Sequence, residues 1–520
     1  MHISLSVVGL VSVYFFVSTA ACPEGCSCGQ KYVDCNNAGL TAIPWNLPNP
    51  VGLERINLQG NEIHELFSEI VSYTNLKYLD LSNNGMLSVD ENVFASLPNL
   101  RVLNLKDNEI NRIQHDTFRG LIALEELDLS GNELERIEGS PFSDLTKLQD
   151  LDLSDNVISS ISETAFLGLN NLRSLSLTSN QLDSIPIASF GHISGLSSLM
   201  LESNAIQTIP PSSFSELKAL RVLNLDGNRI REISEFAFSD KFQISIEHFS
   251  LRSNSFSRIP SESLYKFRNL RSVDFSGNPV VVIDPDAFKG LDRLQEISLQ
   301  SMPELEVVRS YAFSELQSLQ IVHLNSNPKL RAVEKDSFLA STASLKYVDL
   351  HGNALTSLDT NLLDWNRLEF LDLRHNNWIC DCNLNFLPDV LKSNVNKSLS
   401  RQVTCSAPDD LIAKSIVDLS SGQMECDVQV KKLKRRHHDD QIMVAVIAGV
   451  SCMLLILMIV LMVRSRHTTF GTGQMPVTYW VRGREADRTN VDLDTESNAR
   501  LAIALSEERP EPTLPNNRQL

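Results

Sequence analysis

The most constraining feature of this 520-residue sequence is one apolar frame that recurs at a nearly constant interval. Residues 101–110 read RVLNLKDNEI and residues 221–230 read RVLNLDGNRI, and four further copies lie between them at steps of 24 residues. The shared frame is L-x-x-L-x-L-x-x-N-x-L, and it occurs fourteen times between Leu53 and Asn376. A fixed period of this length is typical of chains in which each coil packs mainly on its neighbours.

Within the frame, apolar and polar residues alternate over L-x-L, as in a short strand with one buried and one solvated face. One such strand cannot bury its apolar face alone, so stacked copies predict a parallel sheet over a continuous core. The Asn amide is suited to bonding backbone groups where the chain leaves the strand. Phe residues in segments such as 93–97, 117–121 and 287–291 predict a second apolar row that closes each coil from behind. An array of helices with heptad leucines is disfavoured, because the constant offset of Asn from Leu does not fit a period of 3.6 residues.

Nine cysteines bracket the repeats rather than interrupting them. Four precede the repeats, four follow them, and Cys452 lies inside a long apolar run. End coils lack one neighbour and need caps, and small caps need covalent staples because they cannot build much core. Zinc is the alternative, since Cys-x-Cys can bind metal, but an oxidising compartment favours disulfides. The bracketing cysteines are Cys22, Cys26, Cys28, Cys35, Cys380, Cys382, Cys405 and Cys426.

Two apolar segments predict how the chain is targeted. Residues 1–20 end in small residues after an apolar stretch, which predicts a cleaved secretory signal peptide, with a retained anchor as the alternative. Residues 442–463 are uncharged and apolar and would rise about 33 Å as a helix, enough to cross a bilayer. A buried helix of a soluble protein is the alternative. The cations of KKLKRR at 431–436 then lie on the outer flank, against the positive-inside rule, which weakens once a long domain has been translocated.

The caps and repeats together resemble the extracellular leucine-rich-repeat membrane proteins with cysteine-rich ends. The N-terminal match is CPEGCSCGQKYVDCNNAGLTAIPWNLP, and the C-terminal match is NNWICDCNLNFLPDVL followed by Cys405 and Cys426. Asn377 stands where the family usually has Pro before the Trp. The resemblance implies a curved α/β-type leucine-rich-repeat solenoid with its parallel sheet on the concave face. It also implies the disulfide pairs Cys22–Cys28, Cys26–Cys35, Cys380–Cys405 and Cys382–Cys426.

Seven segments follow from these features, and they describe a single-pass type I protein of the plasma membrane with an extracellular N-terminus. The tail is expected to be disordered because it is polar and rich in Pro and charge near its end. The expected segments are a signal peptide at 1–20, an N-terminal cap at 21–52, fourteen repeats at 53–376, a C-terminal cap at 377–426, a basic stalk at 427–441, a transmembrane helix at 442–463 and a cytoplasmic tail at 464–520.

Charge and missing motifs exclude several classes of function. The net charge is −18, and the acidic excess lies within 21–430, which disfavours a nucleic-acid partner. The sequence has no phosphate-binding glycine loop, metalloprotease helix or nucleophile elbow, so no enzyme activity and no cofactor are expected. The run HHDD at 437–440 fits a metal site or a solvated stalk, and the stalk is favoured.

Binding is therefore expected on the concave face, where side chains between the leucines point to solvent. Glu126, Asp128, Asp150 and Asp152 form an acidic cluster that would meet a basic protein surface or bind Ca²⁺ weakly, although Asp in this frame is also ordinary solvation. Aromatic residues on rigid strands make good binding hot spots, although Phe370 could equally pack against the cap. The further candidate ligand-binding residues are Tyr78, Met200, His323 and Tyr347.

Modification sites and the tail give weaker predictions. Asn396 is in the single extracellular glycosylation sequon. The basic stalk is compatible with a solvated spacer, with contact to anionic glycans or headgroups, or with a dibasic cleavage site. Tyr479, in VTYWVRGREADR, fits an interfacial anchor or a docking site for a cytoplasmic adaptor.

These observations predict a cell-surface receptor or adhesion protein that binds a protein ligand, a matrix component or a neighbouring cell. Two alternatives remain at this stage. The chain could organise extracellular matrix without signalling, or it could be an auxiliary subunit that modulates another membrane protein through its helix.

Overall fold

A computed structural model describes residues 22–44, 47, 49–66, 68–238, 245–393, 397–420, 422–424, 442–444 and 446–461. The chain divides into two compact units, Met1–Lys434 and Arg435–Leu520, and each is described by itself. The predicted signal peptide, stalk and tail, with Asn396, Cys426 and Tyr479, lie outside the described residues.

The first unit is built on one sheet of sixteen strands. Two cap strands, Ser27–Cys28 and Tyr32–Asp34, pair antiparallel, and fourteen parallel strands then follow in chain order without a register shift. The prediction of a solenoid with fourteen coils is therefore confirmed. We call these strands rungs 1 to 14: Arg55–Asn57, Tyr78–Asp80, Val102–Asn104, Glu126–Asp128, Asp150–Asp152, Ser174–Ser176, Ser198–Met200, Val222–Asn224, His248–Ser250, Ser272–Asp274, Glu296–Ser298, Ile321–His323, Tyr347–Asp349 and Phe370–Asp372.

The core lies behind these rungs because the middle residue of every rung is buried. The Phe row that closes the coils is also buried, and several of its rings stack on their neighbours. Phe94, Phe118 and Phe142 stack at centroid distances of 6.4 and 5.9 Å, and Phe313 stacks on Phe338 at 4.8 Å. This confirms the predicted second apolar row.

The Asn of the frame forms a ladder of buried hydrogen bonds. Asn132 is representative: its amide donates to the carbonyls of Leu105 and Leu129, both at 3.0 Å, and its carbonyl accepts from the backbone N–H of Ile110 at 3.1 Å. Each amide thus joins its own coil to the preceding one. At rung 11 the fully buried Met302 takes the Asn position and interrupts this ladder.

The opposite side of the coils carries short elements. Seven two-residue strands form small parallel sheets, at Arg136–Ile137, Ser160–Ile161, Thr208–Ile209, Glu232–Ile233, Val282–Ile283, Val307–Val308 and Ala332–Val333. Short helices lie at Pro50–Gly52, Ser68–Ser72, Ile187–His192 and Ser261–Leu264. The three-strand sheet, at 282–333, falls in the repeats that carry Pro279, Pro303 and Pro328.

Both ends of the solenoid are stapled. The structure contains the disulfides Cys22–Cys28, Cys26–Cys35 and Cys380–Cys405, which are pairs that the family resemblance implies and which exclude zinc at these six sulfurs. Cys382 is also disulfide-bonded. Trp378 is fully buried at the last coil, and its indole N–H donates to the Leu373 carbonyl at 2.9 Å. The C-terminal helices are Cys382–Leu384, Leu387–Ser393, Lys397–Ser400 and Ile416–Asp418.

In the described part of the second unit, one apolar helix, Ile442–Leu461, is long enough to cross a membrane. It falls within the predicted transmembrane segment, 442–463, of which the last two residues lie outside the described ones. Cys452 is exposed on this helix.

Candidate functional site

The solvated side of the main sheet is the candidate site, and we call it the sheet face. It consists of the first and third residues of each rung, together with the solvated residues immediately before each rung and two positions after it. Parallel strands lie about 4.8 Å apart, so these side chains stand at fixed spacing along the solenoid. A surface of this kind is suited to contacting another macromolecule over several rungs.

Charges on the residues that precede the rungs are largely matched within the chain. The Glu54 carboxylate lies 2.6 Å from the Lys31 amine and 2.9 Å from the Lys77 amine, and hydrogen bonds from Lys31 and then Lys77 lower the pKa of Glu54 to about 2. Such exposed pairs add little stability, but they neutralise this edge of the sheet face. The other pairs along it are Arg101–Glu125, Arg221–Glu247, Arg271–Glu247 and Lys346–Glu369.

Rungs 4 and 5 carry a group of carboxylates that are not matched in this way. Glu126 is in register with Asp150, and Asp128 is in register with Asp152, so the four form a square grid that we call the acidic grid. Among the residues that the structure describes, none of the four is in an ion pair. Asp128 and Asp152 each accept a backbone N–H from two residues further on, at 2.8 and 2.9 Å. Like charges directly opposite on neighbouring strands destabilise a sheet.

The acidic grid does not have the geometry of a metal site. In the part of the chain that the structure describes, one group of three or more ligand atoms lies within 4.8 Å, and it consists of Asp349, His351 and Asp372. The carboxylates of the grid therefore do not converge as Ca²⁺ ligands do. This disfavours Ca²⁺, one of the two ligand classes expected for the grid from the sequence.

At the other end of the sheet face, three rings form a continuous row that we call the ring row. His323 of rung 12 lies 5.1 Å from Tyr347 of rung 13, and Tyr347 stacks on Phe370 of rung 14 at 4.1 Å with nearly parallel planes. All three side chains are partly exposed. The Nε2 atom of His323 lies 3.6 Å from the carboxylate of Glu296, which is 42% exposed.

Beneath the ring row, two carboxylates are held by neighbours within the chain. His351 Nδ1 lies 2.8 Å from Asp349 Oδ1, and the Arg374 guanidinium contacts both oxygens of Asp372 at 2.7 to 3.1 Å. Burial would raise the pKa of Asp372, but the hydrogen bonds from Arg374 outweigh burial and lower it. Although these ligand atoms are close enough for a metal, Arg374 and the Asp349–His351 bond already occupy them. The group is best understood as a support for the rungs.

This geometry predicts a pH-dependent contribution to stability. A carboxylate whose pKa is lowered by folding stabilises the fold above its unfolded pKa, about 3.9, and loses that contribution as the pH falls through the folded value. We expect Asp372→Asn to lower the free energy of unfolding by about 2 kcal/mol at pH 7 and by much less at pH 2 to 3. Urea unfolding of both chains at the two pH values measures this, with the exposed Asp389→Asn as control. An equal loss at both pH values contradicts the prediction.

Tyr78 is predicted to be an exposed aromatic residue, but its ring and its hydroxyl both contact other residues of this chain. The Arg55 guanidinium lies 3.5 Å from the centre of its ring, and its hydroxyl donates to Asp80 at 2.9 Å. Burial, followed by the hydrogen bond to Asp80, raises the pKa of Tyr78. Met200 of rung 7 is partly exposed and lies between the acidic grid and the ring row, in register with Ser176 and Asn224.

The sequence predicts that the third residue of each rung points to solvent, and this prediction is wrong at four rungs. The reason is local: Asp80 accepts from Tyr78 and Ser82, and Asp372 is clamped by Arg374, so these carboxylates fold back onto the sheet. The four buried residues are Asp80, Ser298, Asp349 and Asp372.

A further acidic residue, Asp226, was missed because it follows rung 8 rather than lying within it. Its Oδ1 accepts from the Ser250 hydroxyl at 2.5 Å and from the Arg252 N–H at 2.7 Å, which joins rung 8 to rung 9. Burial raises its pKa, opposed by these hydrogen bonds. The residues two positions after the third residue of a rung complete the sheet face, and the alternation of the strand places them on the same side. Examples are Asp226, Arg252 and Arg374.

Comparison with known proteins identifies the repeats. A family model described as "Leucine rich repeat" matches residues 74–134, 122–182, 170–230 and 244–303. A "BspA type Leucine rich repeat region" model matches residues 281–379, and a "Leucine rich repeat N-terminal domain" model matches residues 21–48.

Similar proteins and structures agree with these matches. The chain is 35% identical over 78 residues to oligodendrocyte-myelin glycoprotein of Mus musculus and 33% identical to that of Homo sapiens, covering 15% of this chain and 17% of each relative. The chain thus spans about a sixth of the length of these curated relatives. A leucine-rich repeat protein of Leptospira interrogans is 26% identical, with a TM-score of 0.58, over 69% of this chain and 87% of that one. Toll of Drosophila, solved in complex with Spatzle, shares the fold at 20% identity, with a TM-score of 0.57 over 73% and 59% of the two chains. The chain therefore belongs to the leucine-rich repeat family and carries its N-terminal cap.

Proposed function

We propose that this chain is a single-pass type I protein of the plasma membrane that binds a basic protein ligand through its sheet face. The signal-like segment 1–20, the disulfide-capped solenoid and the apolar helix Ile442–Leu461 support this topology. The two disulfides of the N-terminal cap are typical of chains that fold in an oxidising compartment. Receptor and adhesion roles both fit a binding platform of this kind.

The acidic grid is the main support for a basic ligand. The neighbouring column of charges is matched by internal ion pairs, whereas none of the four grid carboxylates is paired with a cation among the residues that the structure describes. Two like-charged pairs in register cost the sheet stability, and a basic partner would remove that repulsion on binding. Complementary charge also speeds encounter and selects against acidic partners. The complex of Toll with Spatzle shows a protein of this fold with a protein ligand.

Neutralising the grid tests the proposal. We expect the variant Glu126→Gln, Asp128→Asn, Asp150→Asn, Asp152→Asn to lose at least about tenfold in ligand binding, since charge contacts at an interface are each worth about a kcal/mol or more. Proximity labelling by the full-length chain on intact cells measures this as the loss of labelling of surface proteins with basic ectodomains. The same variant should unfold at slightly higher urea, because repulsion between the strands is relieved.

A control variant removes the same charge elsewhere. Asp90, Glu91, Glu163 and Glu216 are exposed carboxylates outside the sheet face, and neutralising them should leave labelling unchanged. If both variants lose the same amount of labelling, the loss follows from net charge alone, and the acidic grid is not a defined binding site. If neither variant changes the labelling, the ligand is not held to the sheet face by charge, and the proposal is refuted. Antibodies against the repeats that label permeabilised cells alone would refute the topology.

A further inference from the structure

Two rungs of the sheet face carry the same Tyr-x-Asp sequence in the same positions. Tyr78 and Asp80 are the first and third residues of rung 2, and Tyr347 and Asp349 are the first and third residues of rung 13. Both tyrosines lie in register with the first residues of the neighbouring rungs. The two sites differ in what those neighbours supply.

At rung 2 the chain supplies its own cation. Arg55, directly in register on rung 1, lies over the Tyr78 ring at 3.5 Å, and the Tyr78 hydroxyl donates to Asp80. A guanidinium stacked on a tyrosine beside a carboxylate is a favourable arrangement, because the ring face and the carboxylate both attract positive charge. Rung 2 is thus a complete cation site occupied from within.

At rung 13 the corresponding cation is missing. The residue in register on rung 12 is Ile321 instead of an arginine. Among the described residues the Tyr347 hydroxyl has no hydrogen-bond partner, whereas Asp349 bonds His351 instead. Burial, followed by the charges of Asp349 and Asp372, raises the pKa of Tyr347, so this hydroxyl remains a donor at neutral pH.

The charges around the ring row favour a cationic occupant. Three carboxylates surround it, those of Glu296, Asp349 and Asp372, against the single guanidinium of Arg374. Of these, the Glu296 carboxylate is the most exposed, and it lies 3.6 Å from His323 at one end of the ring row. The cluster therefore holds more carboxylates than guanidinium groups, and Glu296 is an accessible carboxylate beside the ring row.

We propose that the exposed part of the ring row binds an arginine side chain of the partner, which supplies from outside the kind of cation that Arg55 supplies at rung 2. The guanidinium would contact the aromatic surface of His323 and Tyr347 and bond the Glu296 carboxylate. Arginine fits better than lysine, because its planar group stacks on rings while its donors remain in plane to meet a carboxylate. This inference rests on the proposed function, since the same basic partner would also contact the acidic grid.

The distance between the two contact points sets the size of the probe. Rungs 5 and 12 are seven strand spacings apart, or about 34 Å. An extended peptide spans at most about 3.3 to 3.6 Å per residue, so about ten residues bridge the two points. The backbone of a decamer is therefore long enough to reach from the acidic grid to the ring row.

Deca-arginine and deca-lysine, each with a fluorescent label, are the probes. Full-length chain in nanodiscs of zwitterionic lipid is titrated against each peptide at 0.15 M salt, and fluorescence anisotropy gives both dissociation constants. We expect deca-arginine to bind about tenfold more tightly, the equivalent of one strong cation–π contact. The variant Tyr347→Ala should reduce this ratio to about two or less while changing the lysine affinity little.

Matched variants separate the possible outcomes. Tyr347→Phe should keep most of the preference because the ring remains, Glu296→Gln should lose part of it, and Tyr78→Phe should leave it unchanged. The grid variant should weaken both peptides equally and preserve the ratio. An arginine preference that survives Tyr347→Ala and Glu296→Gln overturns the ring-row proposal. Peptide affinities that do not respond to the grid variant overturn the proposed function instead.

Discussion

Replacing Asn132 with alanine should lower the free energy of unfolding of the repeat region by about 3 to 5 kcal/mol. The side chain is buried and joins two coils through the carbonyls of Leu105 and Leu129 and the N–H of Ile110. Alanine leaves the Ile110 N–H without a partner in a space from which water is excluded. It also removes one of the two bonds at each carbonyl, and the bonds from Asn108 and Asn156 remain. The unsatisfied N–H costs about 1 to 3 kcal/mol and each of the two lost hydrogen bonds about 1 kcal/mol, which together give the expected loss.

The matched control is Asn171→Ala. Its amide also donates to a backbone carbonyl, that of Thr146, at 2.6 Å, but it does so at the surface, where water replaces the bond. We expect this change to cost less than about 1 kcal/mol. Urea unfolding followed by circular dichroism compares the two chains. Similar losses in both would mean that the ladder is no more important than ordinary surface hydrogen bonding.

The asparagine ladder, the rungs and the Phe row could be predicted from sequence because they are nearly periodic. Each keeps nearly the same offset from coil to coil, so one coil predicts the next. The interruption at Met302 was visible for the same reason, since a single letter breaks the frame. The pairing of the cap cysteines depended on family resemblance, because spacing alone allows several connectivities.

Contacts on the sheet face were less predictable because they depend on side-chain conformation across neighbouring coils. The frame places Tyr78 and Tyr347 in equivalent positions, yet one is covered by Arg55 and the other stacks on Phe370. The burial of Asp372 depends on Arg374, a residue that lies two positions beyond the rung. Periodicity predicts which side of the sheet a residue faces, but it does not predict which neighbouring residue the side chain contacts.

Phe313→Ala should be similarly damaging, with a loss of about 3 to 5 kcal/mol, the usual cost of truncating a buried Phe. Phe313 is fully buried between Phe288 and Phe338, with centroid distances of 5.6 and 4.8 Å and nearly parallel rings. Truncation opens a cavity and removes two stacking contacts, and interiors this dense relax only partly. Because each coil packs on its neighbours, the loss should weaken the coils on both sides.

Phe236→Ala is the control for that change. This ring is 51% exposed, and the Lys266 amine lies 5.4 Å from its centre. Its truncation creates no cavity and should cost at most about 1 kcal/mol. Urea midpoints of the two variants give the comparison directly, and hydrogen exchange should show faster opening of the coils that contain Phe288 and Phe338 in Phe313→Ala alone. If exchange instead rises uniformly along the solenoid, the coils unfold as one unit, and the Phe stack does not stabilise adjacent coils locally. The Phe row would then contribute to stability without determining where the solenoid opens first.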